Sequence, residues 1–425
     1  MKLHWKIGIG MLAGLAVGLV INEDIVIGGG LGRALGYLSF IREFFIRFVD
    51  PMLGPIGTIF IKLLKMLIVP LIVASMVVGV ARVGDIRRLG GLGGRTFAFY
   101  LLTTWASVFV GLILVNLIKP GEGAPLLAGN VPDAARNVVG FWDVLLKMVP
   151  DNPFKAMANM DILPLIVFSL FLGAVLTTIG NKAEPLISFF ESLNTAVMKM
   201  ADIVIRLTPI GVFALLAVVV AETGPGIFAS LGKYMFAVLL GLLIHGVVTL
   251  PLLLRYVARV NPRAYMGKIA PALTTAFSTA SSSATLPLTI DCVEERAGVS
   301  RRVSSFVLPI GATINMDGTA LYESVAAVFI AQVYGIDLSL MQQVLVFLTA
   351  TLAAVGAAGI PSAGLVTMAI VLNAVGLPLE GIGMILAVDR LLDMCRTTVN
   401  VWGDTVGCAV VSRLEGEEVP VEIRA

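Results

Sequence analysis

Asp389, Asp393, Arg396, Asn400 and Asp404 recur every three or four residues in VDRLLDMCRTTVNVWGD, a stretch otherwise mostly apolar. That step is the period of an α-helix, so the polar groups share one stripe. A charge in hydrocarbon costs ~2.5–3.5 kcal/mol on insertion scales, so the stripe must face other helices, a cavity or an ion. Arg396 is a forked donor that can hold a carboxylate by two bonds. Asp393, on the same face, offers a negative partner for an ammonium. A ligand bearing an amine, a main-chain carboxylate and a side-chain carboxylate would satisfy Asp393, Asn400 with Ser282, and Arg396 together. That chemistry is an acidic amino acid. The competing reading is an internal Asp393–Arg396 ion pair. Against it, carboxylates outnumber arginine on this face unless Arg390 turns inward, and the surplus calls for cations.

Other motifs offer oxygen rather than charge. Asn315–Met316–Asp317–Gly318–Thr319 interrupts an apolar span, and Gly318 permits an unwound backbone there. Asn, Asp and freed carbonyls are hard ligands suited to a hard cation such as sodium, and Asn400 and Asp404 can add oxygen. Tyr100, Thr103 and Thr104 share a helix face, which alone reads as an ordinary hydroxyl stripe between helices. The run Ser281–Ser282–Ser283 supplies hydroxyls and backbone amides where a half-helix N-terminus favours an anion. Glu323 stands alone in ALYESVAAVF, placed to take up and release a proton during a cycle; the plainer reading is a neutral acid joining two helices.

These groups need a bilayer-embedded scaffold. The chain of 425 residues is 58% hydrophobic and only 14% charged, where globular domains carry roughly 25% charged residues. It reads as an all-α polytopic membrane protein, without the alternating pattern of an outer-membrane barrel. Apolar spans fall near 6–21, 51–80, 96–118, 161–180, 186–221 and 230–254. The first reads as a retained helix rather than a cleaved signal peptide. A net charge of +2 gives no nucleic-acid signature. Cys292, Cys395 and Cys408 imply no disulfide framework, and neither of the two histidines lies near a cysteine, which argues against zinc.

Beyond residue 254 the pattern changes. Segments 264–298 and 341–377 are apolar but broken by FSTASSSATLP and VGAAGIPSAG, and each precedes a span with a polar motif. A broken hairpin followed by a polar helix, used twice, points to a transporter's binding site. Lys2, Lys6, the arginines from Arg82 to Arg95, those from Arg255 to Arg263 with Lys268, and Arg296, Arg301 and Arg302 belong on the cytoplasmic side. The first hairpin then dips in from the cytoplasm and the second, after loop 335–340, from the opposite face. Both termini are expected to be cytoplasmic.

From KLLKMLIVPLIVASMVVGV (62–80) to its end the chain resembles the dicarboxylate/amino acid:cation symporters, the glutamate and aspartate transporters. SSSATLP (281–287), NMDGT (315–319), AAGIPSAG (357–364) and DMCRTTVNVWGD (393–404), in this order and spacing, carry the resemblance. It implies a plasma-membrane (cell inner membrane) homotrimer of eight-span protomers with two re-entrant hairpins, inverted repeats and an elevator motion. Residues 1–82 and 121–225 would form a scaffold of spans 1, 2, 4 and 5. Residues 83–120 and 226–425 would form the moving unit of spans 3, 6, 7 and 8 with both hairpins. Ala280, Ser281 and Ser282 would lie at the first hairpin's tip. Arg396 with Thr319 would hold the side-chain carboxylate, Asp393 with Thr397 nearby the amine, and Asn400 with Ser282 the main-chain carboxylate. Ile360 and Gly364 would close the second hairpin over it. One sodium site would comprise Asp404, Asn400, Asn315 and the Gly311 carbonyl, and another Tyr100, Thr103, Thr104 and Asp317. Thr313, Met316, Ala354, Val355 and Ala357 would give carbonyls to a third. Glu323 would carry the proton. Relatives usually bear an extra arginine where this chain has Ala280 or Met394; Arg390 is the candidate substitute, and potassium counter-transport is what the change puts in question.

The expected activity is symport of L-glutamate or L-aspartate with sodium, the proton being a candidate second ion, and no organic cofactor is expected. A C4-dicarboxylate carrier on the same scaffold is the alternative; a diacid without an amine would leave Asp393 buried and unpaired. A passive channel needs no paired gates. An enzyme using the serine run would need a neighbouring base, and the sequence supplies none.

Overall fold

A computed structural model describes residues 3–21, 45–82, 86–124, 146, 148–355 and 363–420. Every regular element among these described residues is helical. We label α1 Leu3–Ile21, α2 Asp50–Arg82, α3 Ile86–Ile118, α4 Pro153–Asn159, α5 Ile162–Ile179, α6 Glu184–Arg206 and α7 Thr208–Thr223. The α8 run, Ile227–Ala258, passes through two π-turns, the first at His245–Thr249. Then come α9 Pro262–Thr279, α10 Ser282–Asp291, α11 Arg301–Ile314, α12 Asp317–Val333, α13 Leu340–Val355, α14 Ala363–Val375 and α15 Ile382–Leu414. Four stretches, Asp50–Ala81, Gly91–Ile118, Ile162–Arg206 and Ile227–Ala258, are long and apolar enough to cross a bilayer.

The single apolar stretch 186–221 is two helices. It breaks at Leu207, because Pro209 enters the first turn of α7 and disfavours continued helix before it.

α1 lies along α7, and α2 packs on α5, α6 and α7. α15, which carries the polar stripe, is ringed by α3, α8, α9, α11 and α12. α12 is buried almost all round, from Asp317 to Ala331 and at Val333, as a helix with no solvent or lipid face must be. α3 shows the division of labour a membrane imposes. Leu102, Phe109, Ile113 and Leu117 point outward while Tyr100, Thr103, Thr104 and Ser107 are buried.

The ends of the bundle are tied by polar contacts. Arg95 at the start of α3 and Arg302 at the start of α11 meet Glu415 just past α15, at 2.5 and 2.7 Å. Ser300, which follows the first hairpin, bonds Glu417 at that same end. At the far end of α3, Asn116 pairs with Gln343 at the start of α13, at 2.8 Å. The backbone of Gly121 donates to Gln332 near the end of α12, at 2.9 Å. Ser300, just after the first hairpin (α9–α10), and Gln343, at the start of the second (α13–α14), therefore lie at opposite ends of the bundle.

Candidate functional site

The first hairpin turns at Ala280, which adopts φ 50 and ψ 41, a left-handed conformation that L-residues seldom take. Ser281 then caps α10, its hydroxyl accepting the backbone N–H of Ala284 at 3.1 Å. Ser282 is buried and Ser283 is exposed. One of the three serines is thus committed to holding the tip in shape, leaving Ser282 as the buried hydroxyl at the N-terminus of α10.

Between α11 and α12 the helix lapses for two residues. Asn315 (φ −86, ψ 92) and Met316 (φ −120, ψ 48) leave helical geometry, and α12 restarts at Asp317. Three elements stitch this gap. Asn400 Oδ1 accepts the backbone N–H of Gly318 at 2.7 Å, and its Nδ2 lies 3.3 Å from Thr319 Oγ1. Asn315 Nδ2 donates to Asp404 Oδ1 at 2.8 Å. Gly311 lies so close beneath Asp404 that a Cβ would sit 2.5 Å from Oδ1, so only glycine lets that backbone carbonyl share the carboxylate's neighbourhood.

Asp317 is the most heavily attended carboxylate. Thr104 donates to Oδ1 at 2.7 Å and Thr103 approaches the same oxygen at 3.3 Å. His245 Nε2 lies 3.0 Å from Oδ2, and Ser107 bonds the backbone carbonyl. Tyr100 donates to the Val307 carbonyl at 2.9 Å. The hydroxyl stripe on α3 is thereby turned toward the interrupted span. Asn315 Oδ1 is buried with no hydrogen-bond partner among the described residues, an acceptor whose desolvation a cation would offset. Two buried carboxylates, two threonine hydroxyls and this orphan oxygen form a donor set suited to a hard cation.

None of the five stripe residues of α15 is more than 3% exposed. Arg396 is clasped: Nε donates to Asp393 Oδ1 at 3.1 Å, Nη2 lies 2.9 Å from the same oxygen, and Nη1 donates to Asp389 Oδ1 at 3.2 Å. Its guanidinium stacks 4.3 Å over the Tyr322 ring, whose hydroxyl donates to Asp389 at 2.7 Å. Nη2 lies in ion-pair range of Asp393 but makes no hydrogen bond of proper geometry to any described residue. At Gly364 a Cβ would meet Arg396 Cζ at 2.7 Å; the second hairpin rests directly on the guanidinium. Thr397 is buried beside it.

The expected surplus of carboxylates over arginine does not hold around Asp393. Arg390 turns inward, its Nη1 3.4 Å from Asp393 Oδ2, so Asp389 and Asp393 face two guanidiniums. The internal Asp393–Arg396 pair is present as well. One turn of helix separates Arg390 from Asp393, and an arginine stem spans that distance readily. Among the described residues, Asp317 and Asp404 have no arginine or lysine in ion-pair range, and His245 stands beside Asp317.

Glu323 is fully buried; Oε1 accepts the Thr367 hydroxyl from α14, and Oε2 has no partner among the described residues. Thr313 is exposed, Met316 is buried, and Ala354 and Val355 end α13, where carbonyls lack helical partners. Ala357 and Ile360 lie outside the described residues.

Sequence reasoning missed Ser107, His245, Tyr322 and Thr367. Ser107 follows Thr103 by four residues and was legible on the same face. Tyr322 follows Thr319 by three residues on α12, whereas His245 and Thr367 come from elements far along the chain and carry no local signal.

A family profile described as the sodium:dicarboxylate symporter family matches residues 3–414. Excitatory amino acid transporter 3 of Mus musculus is 39% identical, covering 98% of this chain and 86% of that protein. Excitatory amino acid transporter 3 of Homo sapiens is 40% identical over 92% and 83%. Neutral amino acid transporter A of Homo sapiens is 38% identical over 98% and 86%.

Proposed function

This chain belongs to the sodium:dicarboxylate symporter family, and on that premise we propose that it is a sodium-driven secondary symporter of L-glutamate or L-aspartate in the plasma membrane. The observation that carries this reading is Arg396: a fully buried, permanently charged fork with one prong lacking a good hydrogen bond. A side-chain carboxylate completes it, and a neutral side chain does not. Arg396 thus favours the substrate class of the excitatory relatives over that named for the neutral transporter.

Asp393 receives the substrate ammonium, and Asn400 with Ser282 receives the main-chain carboxylate. Thr319 and Thr397 flank them, Ala280 and Ser281 lie at the first hairpin's tip, and Ile360 and Gly364 close the second hairpin over the ligand. Sodium is cargo. One ion takes Asp404, Asn315, Asn400 and the Gly311 carbonyl. A second takes Tyr100, Thr103, Thr104 and Asp317. A third takes carbonyls of Thr313, Met316, Ala354, Val355 and Ala357. Burial of Asp317 and Asp404 at the interrupted helix supports the first two sites. Glu323, bonded across to the second hairpin through Thr367, carries a proton as the second coupled ion.

The alternating-access device is the pair of hairpins entering from opposite ends, within an eight-span protomer with cytoplasmic termini. Residues 1–82 and 121–225 form a trimer scaffold, and 83–120 with 226–425 move as an elevator. A C4-dicarboxylate is the second substrate reading. A diacid brings no ammonium to Asp393, whose contact with Arg390 is long, at 3.4 Å, and burying that carboxylate without a new cation disfavours this reading. Uptake of labelled aspartate into proteoliposomes under an inward sodium gradient tests the proposal: accumulation above the outside concentration is expected, and equilibration without accumulation contradicts it.

A further inference from the structure

We propose that Arg390 is a tethered stand-in for the substrate's ammonium, so that the unloaded carrier returns across the membrane without an inorganic counter-cation. The inference rests on the acidic amino acid reading above and concerns the half of the cycle that reading leaves open.

The two oxygens of Asp393 have different partners. Oδ1 belongs to Arg396, at 2.9 Å from Nη2 and 3.1 Å from Nε. Oδ2 faces Arg390 at 3.4 Å. With Asp389 on Arg396 at 3.2 Å, two carboxylates stand against two guanidiniums and the cluster carries no net charge.

The two arginines are held very differently. Arg396 has partners on both aspartates, lies over the Tyr322 ring and sits under Gly364. Arg390 is held by one long contact, and its side chain is 27% exposed where that of Asp393 is 4%. A long charged stem reaching inward from a partly solvated position can retract with its head still hydrated. Arg390, rather than Arg396, is therefore the cation that gives way.

A primary ammonium arriving at Asp393 offers shorter, charge-assisted bonds to Oδ2 than the 3.4 Å contact it replaces. Displacement conserves the charge at Asp393: one cation leaves as another enters. When the substrate departs, Arg390 swings back and Asp393 stays paired through the return. With Arg390 removed, Asp389 and Asp393 would stand against the single guanidinium of Arg396, and the added negative charge would favour recruiting a cation from solution or slow the crossing.

The test uses the full chain reconstituted in vesicles, comparing homo-exchange of labelled aspartate with its net uptake, with internal potassium or internal choline. Exchange needs only the loaded carrier, whereas net uptake needs the unloaded return. For the natural protein, net uptake should be the same with either internal cation. Arg390→Gln should keep exchange within about threefold, lose about tenfold in net uptake with internal choline, and regain it with internal potassium. Arg390→Lys should behave like the natural protein.

A natural protein whose net uptake requires internal potassium would overturn the proposal. So would an Arg390→Gln variant in which exchange and net uptake fall together, or in which neither falls. Absence of exchange in the natural protein would instead remove the substrate reading on which the proposal stands.

Discussion

Asn400 on the last helix accepts the backbone N–H of Gly318 on the interrupted span at 2.7 Å. The contact joins the stripe proposed to bind the substrate to the unwound turn proposed to hold sodium. Its amide nitrogen points at Thr319 and the Met316 sulfur, at 3.3 and 3.2 Å. Anything that moves the main-chain carboxylate therefore moves the backbone that would coordinate sodium. Asn400→Ala should weaken the apparent affinities for aspartate and sodium together, each by about tenfold, because a buried N–H is left unsatisfied. Initial uptake rates at varied sodium and aspartate check this; loss of only one affinity would uncouple the two sites.

Arg396 decides the substrate class. Arg396→Gln should reduce uptake of glutamate and aspartate by two orders of magnitude or more, as loss of one partner of a buried ion pair costs about 3–5 kcal/mol. Uptake of a small neutral amino acid should persist or emerge in the same variant. Retained aspartate uptake would remove Arg396 from its assigned role.

The hydroxyls on α3 act through Asp317. Thr104 lies 2.7 Å from its Oδ1, and replacing it by valine removes one hydrogen bond of about 1 kcal/mol. Thr104→Val should raise the sodium concentration for half-maximal uptake several-fold, with a smaller effect on aspartate affinity at saturating sodium. An unchanged sodium dependence would contradict the second cation site.

On the proposal that Glu323 carries a proton with the loaded carrier, uptake should rise as the outside becomes more acidic. Glu323→Gln is permanently neutral and should flatten that pH profile. Thr367→Val removes the bonding partner on the second hairpin and should shift the profile without flattening it. A pH dependence that survives in Glu323→Gln would place the proton elsewhere.

The polar stripe was legible because Asp389 to Asp404 repeat at the helical period, and the interrupted span because Asn315 to Gly318 pair polar groups with a glycine. Partnerships across the chain were not legible: nothing near Glu323 announces Thr367, and nothing near Asp317 announces His245, 72 residues earlier. Arg390 shows the limit most clearly. Spacing put it one turn from Asp393, but only packing decides whether a long side chain on the rim turns in or out. The break at Leu207 lay within what read as one apolar stretch, although Pro209 marked it.

The account's central claim is that buried charges on α12 and α15 are tolerated because a zwitterionic diacid and sodium cross with them. Simultaneous measurement of labelled substrate and radioactive sodium entering proteoliposomes tests it directly, with aspartate and succinate compared side by side. The account predicts that aspartate drives sodium entry in a fixed ratio and succinate drives little. Aspartate entering without sodium, or succinate driving as much sodium as aspartate, would contradict it.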